Sequence, residues 1–160
     1  MLFKETKILS RFIVLLLIAG FFSCDELPCE YPDGVNLVAG FFKYNETNIV
    51  AMPLDSFSVI ILNDSIPPYE DFYKNKQNTI QFPLSILSDT SVVVLKYNDG
   101  ICDTLNFYYS RSLVLINHQC GFDTFFDIDT VIHTYYKIES VWLSKSLVDY
   151  SNAENIKIYF

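Results

Sequence analysis

The sequence predicts an all-β domain, an antiparallel β-sandwich with immunoglobulin-like Greek-key connections, with a small closed β-barrel as the alternative. Three observations lead there. Val, Ile, Phe, Tyr and Thr, which fit pleated half-buried strands, are abundant. Apolar residues recur at every second position in short runs separated by turn residues. No window carries an apolar stripe of helical period over three turns.

The chain opens with a different kind of segment. Lys4, Lys7 and Arg11 form a basic head, and Phe12 to Phe22 carry no charge. That run has the roughly 7–15 residues of a signal-peptide core and falls short of the about 20 that span a bilayer. Ser23 then precedes Cys24, as a small residue precedes the cysteine of a bacterial lipobox, although Phe21 stands where Leu is commoner. Residues 1–23 are expected to be a lipoprotein signal peptide, and Cys24 the acylated mature N-terminus. An ordinary signal peptide, with Cys24 in a disulfide, is the alternative. Residues 24–34 read as an anchor-proximal linker, and 35–160 as one sandwich domain.

Within that domain the strands follow in order. "VNLVAGFFKYN" supplies the first. In "FSVIIL", Phe57, Val59 and Ile61 share a face; in "TIQFPL", Ile80, Phe82 and Leu84 do. Pro83 lacks a donor, which places that strand at an edge or ends it. Before it, "NDSIPPYEDFYKNKQN" reads as a long polar connection around Pro67 and Pro68. "SVVVLKY" and "CDTLNFYY" flank "YNDG", a hairpin turn in which Asp-Gly tolerates positive φ. "SRS", residues 110–112, reads as a turn into "LVLIN", and "HQCG" as the next break. "FDTFFDID" and "YKIESVWLS" follow. In the latter Ile138 is out of phase with Val141 and Leu143, which suggests a bulge near Glu139 or Ser140. "NIKIYF" closes the chain with Ile156, Ile158 and Phe160 on one face.

Charge narrows the partners. The chain carries −8; residues 1–23 hold three basic residues and one acidic, so the remainder stands at −10. An acidic surface repels phosphate backbones and anionic lipid heads, which argues against nucleic acid and leaves the Cys24 anchor as the membrane contact. Cys29, Cys102 and Cys120 remain in what the signal makes an oxidising compartment, enough for one disulfide and one spare thiol. No two lie close enough for a zinc hairpin.

Several features together resemble a family of small Bacteroidota lipoproteins with no assigned function. A lipobox cysteine is followed closely by a second cysteine. "FPL" ends one strand, "DTLNFYY" from Asp103 forms another, "CGF" spans Cys120 to Phe122, and "NIKIYF" ends the chain. The resemblance implies an anchored envelope domain and brings no activity. It also implies a Cys29–Cys120 disulfide, since the family pattern has one cysteine near the anchor and one in "CGF"; Cys102–Cys120 is the alternative.

Candidate chemistry is sparse. Asp123, Asp127 and Asp129 fall on one strand face by parity and are the candidates for a calcium site, though a solvated acidic face is the simpler reading. "DSI", "DTL" and "DTV" look like Asp-Ser/Thr-apolar O-glycosylation sites; only Ser65 lies in an expected loop. His118 and His133 share no motif, and no phosphate loop, nucleophile elbow or Cys–His signature occurs, so no catalytic residue and no cofactor is assigned. The expected function is a non-catalytic cell-envelope lipoprotein, anchored in the outer membrane on its periplasmic or outer face, that binds another envelope component such as an outer-membrane β-barrel. A subunit of a surface fibre or adhesive layer, and an enzyme of unrecognised type, are the alternatives. An exposed strandless groove would favour the fibre, a deep polar pocket the enzyme, and a broad apolar patch the binding module.

Overall fold

A computed structural model describes residues 34–160 apart from 47, 64, 65 and 119. The strands are β1 (Asn36–Asn45), β2 (Asn48–Ala51), β3 (Phe57–Asn63), β4 (Ile66–Tyr73), β5 (Thr79–Pro83), β6 (Thr90–Tyr97), β7 (Cys102–Asn117), β8 (Gly121–His133), β9 (Ser140–Leu143), β10 (Leu147–Val148) and β11 (Ile156–Tyr159). They form two sheets around one apolar core, and no helix interrupts them among the described residues.

In the first sheet β2, β1, β11 and β9 lie side by side, and β5 pairs with the leading half of β1. The second runs β10-β8-β7-β6-β3-β4. All pairings are antiparallel except one. β1 and β11 run parallel, with Ala39 opposite Ile156 and Phe42 opposite Tyr159. Nothing in the alternation of either strand announces that pairing.

The inward face of each strand is the one period two selects. Ile80 and Phe82 of β5, Val93 and Leu95 of β6, Leu105 and Phe107 of β7, and Ile156 and Ile158 of β11 are buried. Aromatic pairs lock the sheets together: Phe41 of β1 meets Phe57 of β3 edge-on at 5.6 Å, and Phe82 of β5 meets Phe107 of β7 at 5.7 Å. Each such side chain contributes about 1.5–3 kcal/mol by burial, and an aromatic pair about 0.5–1.5 more.

Four departures from the sequence reading have local causes. β4 occupies the segment expected to be a polar connection. It is an edge strand, bonded only to β3, so Pro67 and Pro68 forfeit no bond that an edge needs. "SRS" is no turn; β7 runs unbroken through it to Asn117, and with β8 makes a hairpin that outgrows the body of the sandwich. The break in phase after Ile138 is not a bulge. Ile138 lies in a loop, and β9 starts at Ser140. The bulge sits instead in β8. Tyr109 faces Ile128 and Tyr108 faces Thr130, which leaves Asp129 as the extra residue. The buried positions of β8 accordingly switch from even (Phe126, Ile128) to odd, where Val131 packs on the core.

Other expectations match the structure. β5 pairs with β1 alone and ends at Pro83. At "YNDG" the Gly100 amide donates to the Tyr97 carbonyl at 2.9 Å, and Gly100 takes φ +83°, a conformation glycine adopts without steric cost.

Candidate functional site

A sandwich normally turns a polar face outward. On β6, β7, most of β3 and the part of β8 beyond the bulge the outward positions are even-numbered, and registration places them in rows. Leu62, Val92, Asn106 and Ile132 lie directly across β3, β6, β7 and β8. Ile60, Val94 and Thr104 form the row on one side. Thr90, Tyr108 and Thr130 form the row on the other. None of these side chains is charged. Leu62, Tyr108 and Ile132 are exposed, Ile132 by 55%; Ile60, Val92 and Val94 are half-buried by their neighbours. Phe72 extends the surface on β4. Charge returns at the margin, at Glu70 of β4 directly opposite Ile60, and at Lys96, Asp127 and Asp129. Strand spacing and rise make the central zone about 14 by 14 Å between Cα positions. With its side-chain rim it is a patch of order 300 Å², the size at which exposed apolar surface on a monomer is often functional.

The buried polar groups lie elsewhere and hold loops. Asp103 is fully buried at the start of β7. Its Oδ1 accepts from Thr134 Oγ1 at 2.7 Å and Tyr136 N at 2.9 Å. Its Oδ2 accepts from Lys137 N at 2.8 Å, Ile138 N at 3.1 Å and Tyr97 Oη at 3.1 Å. Burial alone would raise this carboxyl; the hydrogen bonds from Thr134 and the three backbone amides outweigh it and hold the group below its usual range. The same burial, with Asp103 alongside, pushes the Tyr97 phenol far up. Lys137 crosses this corner, pairing with Asp99 at 2.5 Å over the Tyr97 ring. Every lone pair of Asp103 that faces the loop is engaged, so the group clamps the β8–β9 connection and has none to offer a substrate.

Asn155 does the same between the sheets. Its Oδ1 accepts from Val38 N, and its Nδ2 donates to the carbonyls of Lys145 and Leu147. At the opposite end from Asp103, Tyr109 Oη donates to the Ser85 carbonyl at 2.9 Å and lies 2.8 Å from Ser91 Oγ. Three concavities among the described residues are open to solvent. One of about 330 Å³ lies beside Arg111 and Leu113, and two of about 250 Å³ lie near Tyr97.

The residues singled out from sequence are scattered. Cys24, Cys29 and Ser65 fall outside the described residues. Cys120 is half-buried at the turn before β8, where Gly121 takes φ +71°. Cys102 is a free thiol, which corrects the alternative pairing with Cys120. Asp123 accepts from Tyr150 Oη and from Thr124 N, while Asp127 and Asp129 are exposed on either side of the bulge register. They do not assemble, and among the described residues no group of three His, Cys, Asp or Glu could hold a metal ion. His118 is exposed near the hairpin tip, and His133 stacks on Tyr135. Sequence reasoning missed Asp103 and Asn155 as structural groups, though each opens a stretch that carried the family resemblance.

A family model described as a family of unknown function, DUF6452, matches residues 46–160. No curated protein and no solved structure matches the chain.

Proposed function

Since the chain belongs to the DUF6452 family, whose description carries no activity, we propose its role from its own surface: a non-catalytic cell-envelope lipoprotein of the Bacteroidota type. In this reading it is tethered through Cys24 to the outer membrane and docks its uncharged sheet face on another envelope protein. The observation that carries this reading is the face itself. Its three rows across β3, β6, β7 and β8 lack any charge, Glu70 of the edge strand β4 being the charged neighbour of Ile60, where the outer side of a sandwich is ordinarily polar. Net charge of about −10 beyond residue 23 supports a protein partner over nucleic acid. A tether confines the domain to the surface where its partner also resides, which raises effective concentration, so a small patch suffices. The family's lipoprotein pattern also supports a Cys29–Cys120 disulfide. Cys102 is free and Cys120 is not. Forming the bond takes two protons and two electrons from the thiols, passed by exchange to the disulfide of an envelope thiol oxidoreductase.

The fibre reading is weaker. Its strand exchange needs an open edge, and the β4 edge carries Pro67, Pro68, Glu70 and Asp71, the residues that block edge pairing. The test is photocrosslinking in living cells from position 132, paired with Ile132→Asp. One envelope protein should be captured reproducibly and lost on the substitution, with stability changed by no more than about 0.5 kcal/mol, as at other exposed sites. Capture of copies of the chain itself would favour the fibre. Absence of any specific adduct would reject the docking face.

A further inference from the structure

The outer face of the five-stranded sheet carries a second surface, on the opposite side of the sandwich from the uncharged patch. Outward positions there are even on β1 and β9 and odd on β11, the reverse of the buried Phe41, Ile156 and Ile158. Register sets them side by side. Trp142 lies opposite Lys157, and Lys157 opposite Gly40. In the next row Tyr159 lies opposite Phe42, and Tyr44 follows on β1. The rings touch. Tyr44 stacks on Tyr159 at 5.0 Å, 15° from parallel, and Tyr159 meets Phe42 at 5.8 Å. Lys157 Nζ lies over the Phe42 ring at 5.2 Å. Trp142 and Tyr44, at the two ends, are 66% and 59% exposed. Neither fills the core.

Gly40 is the gap in this surface, and Glu154 lies in it. A Cβ at position 40 would overlap the Glu154 carboxylate and crowd the Phe42 ring. Glycine weakens a strand interior, and it marks places where another group must come close to the backbone. Here that group is a half-buried carboxylate, supplied by the segment just before β11. Its ionic partner Lys157 stands off at 3.8 Å. A closed N–H···O⁻ pair is shorter, about 2.7–2.9 Å. The acid therefore keeps lone pairs, and the ammonium keeps protons, for a third party. Both side chains stay open to solvent, Lys157 by 35% and Glu154 by 27%. The centre of the face is thus one acceptor beside one donor, with the Phe42 ring against them and Trp142 in the adjoining position.

A sugar chain matches these parts. The flat face of a pyranose presents C–H groups, and these sit well on the negative face of an aromatic ring. Its rim presents hydroxyls, each a donor and an acceptor, and a carboxylate beside an ammonium can engage two that are adjacent. Strand spacing and rise put Trp142 about 16 Å from Tyr44 between Cα positions, the length of a short oligosaccharide rather than of one ring. The acidity of the chain disfavours an anionic glycan. An open sheet face suits an extended ribbon with flat sides. We propose that this face binds a neutral β-1,4-linked oligosaccharide, with ring faces on Trp142 and Tyr44 and the hydroxyls between them on Glu154 and Lys157. The site is separate from the docking face and requires neither the tether nor the protein partner.

Trp142 is the only tryptophan in the chain, so the site reports on itself. Its emission is titrated with cellohexaose and with chitohexaose, on the purified full-length protein in a detergent without a sugar head group, and calorimetry repeats the titration. The two probes separate a plainly hydroxylated ribbon from an N-acetylated one. At least one should give a saturable blue shift and shield Trp142 from acrylamide. Tyr44→Ala and Glu154→Gln should each weaken binding at least about fivefold. Tyr44→Phe keeps the ring and should bind as the wild type does, and Ile132→Asp on the other sheet should change nothing. A response to neither hexasaccharide overturns the proposal. So does a response that Tyr44→Ala and Glu154→Gln leave unchanged. Trp142 already shielded before sugar is added, and bared on dilution, would assign the face to a second copy and overturn it equally.

Discussion

Replacing Asp103 by Asn tests whether a buried carboxylate holds the β8–β9 loop. The variant keeps the shape and removes one acceptor. In the better of its two orientations the new NH₂ takes the place of Oδ1. The Tyr136 amide is then orphaned, and the Thr134 hydroxyl must turn from donor to acceptor. One buried unsatisfied N–H costs about 1–3 kcal/mol. The bonds from Tyr97, Lys137 and Ile138 survive but lose their charge assistance, about 1 kcal/mol each on the same scale. The expected loss is about 4–6 kcal/mol, against a total of about 5–15 for a domain. Urea unfolding followed by far-UV circular dichroism measures it; Trp142 is 66% exposed and is a poor reporter of the core. The pH dependence supplies a second reading. The Asp103 carboxyl is held below its ordinary value. Its contribution is therefore complete above the unfolded value of about 3.9 and fades as pH falls through the folded one. The gap between wild type and Asp103→Asn should be full at neutral pH and narrow below about pH 4. A variant within about 0.5 kcal/mol of wild type, or a gap that does not change with acid, refutes the clamp.

Other consequences follow from the same structure. Asn155→Ala strands the Val38 amide and two carbonyls, and should cost about 2–4 kcal/mol in the same urea assay. Tyr109→Phe removes the hydroxyl that joins Ser85 to Ser91 and should lower stability by about 1–3 kcal/mol, read as a fall in Tm. Burial raises the Tyr109 and Tyr97 phenols, so wild-type stability should hold up to about pH 10 and fall above it; a base titration with no loss there contradicts their burial. Deleting residues 156–160 removes the strand between β1 and β9 and should abolish the cooperative calorimetric transition.

The strands with strict alternation were legible because one face of each is buried. The faces of β3, β5, the first half of β7 and β11 were readable from period two, and the Asp-Gly turn from its glycine. β4 was not legible. An edge strand needs only one set of backbone bonds, so it tolerates the two prolines and the acidic residues that make it look like a loop. The Asp129 bulge left no mark either, since Asp127 and Asp129 are polar in any phase; parity grouped three aspartates that the bulge and Tyr150 separate. The docking face was hidden for a related reason. Leu62, Val92 and Ile132 become a patch only once β3, β6 and β8 fall into register. Asp103 and Asn155 open "DTLNFYY" and "NIKIYF", two of the stretches that carried the resemblance, and both hold the fold in place through hydrogen bonds.

The parallel pairing of β1 with β11 sets the order in which this molecule can be completed. β6, β7 and β8 are sequential neighbours, and can zip from the tight turn at Gly100 as soon as they exist. The other sheet joins residues 39–42 to residues 156–159, the most widely separated strand pairing among the described residues, and contacts of such separation form late and slowly. β1 can meet β2 and β5 earlier, but its other edge stays open until residues 156–159 have emerged. In a polypeptide emerging N-terminus first, from a ribosome or a translocation pore, the strands of the six-stranded sheet are therefore all available before the five-stranded sheet can close.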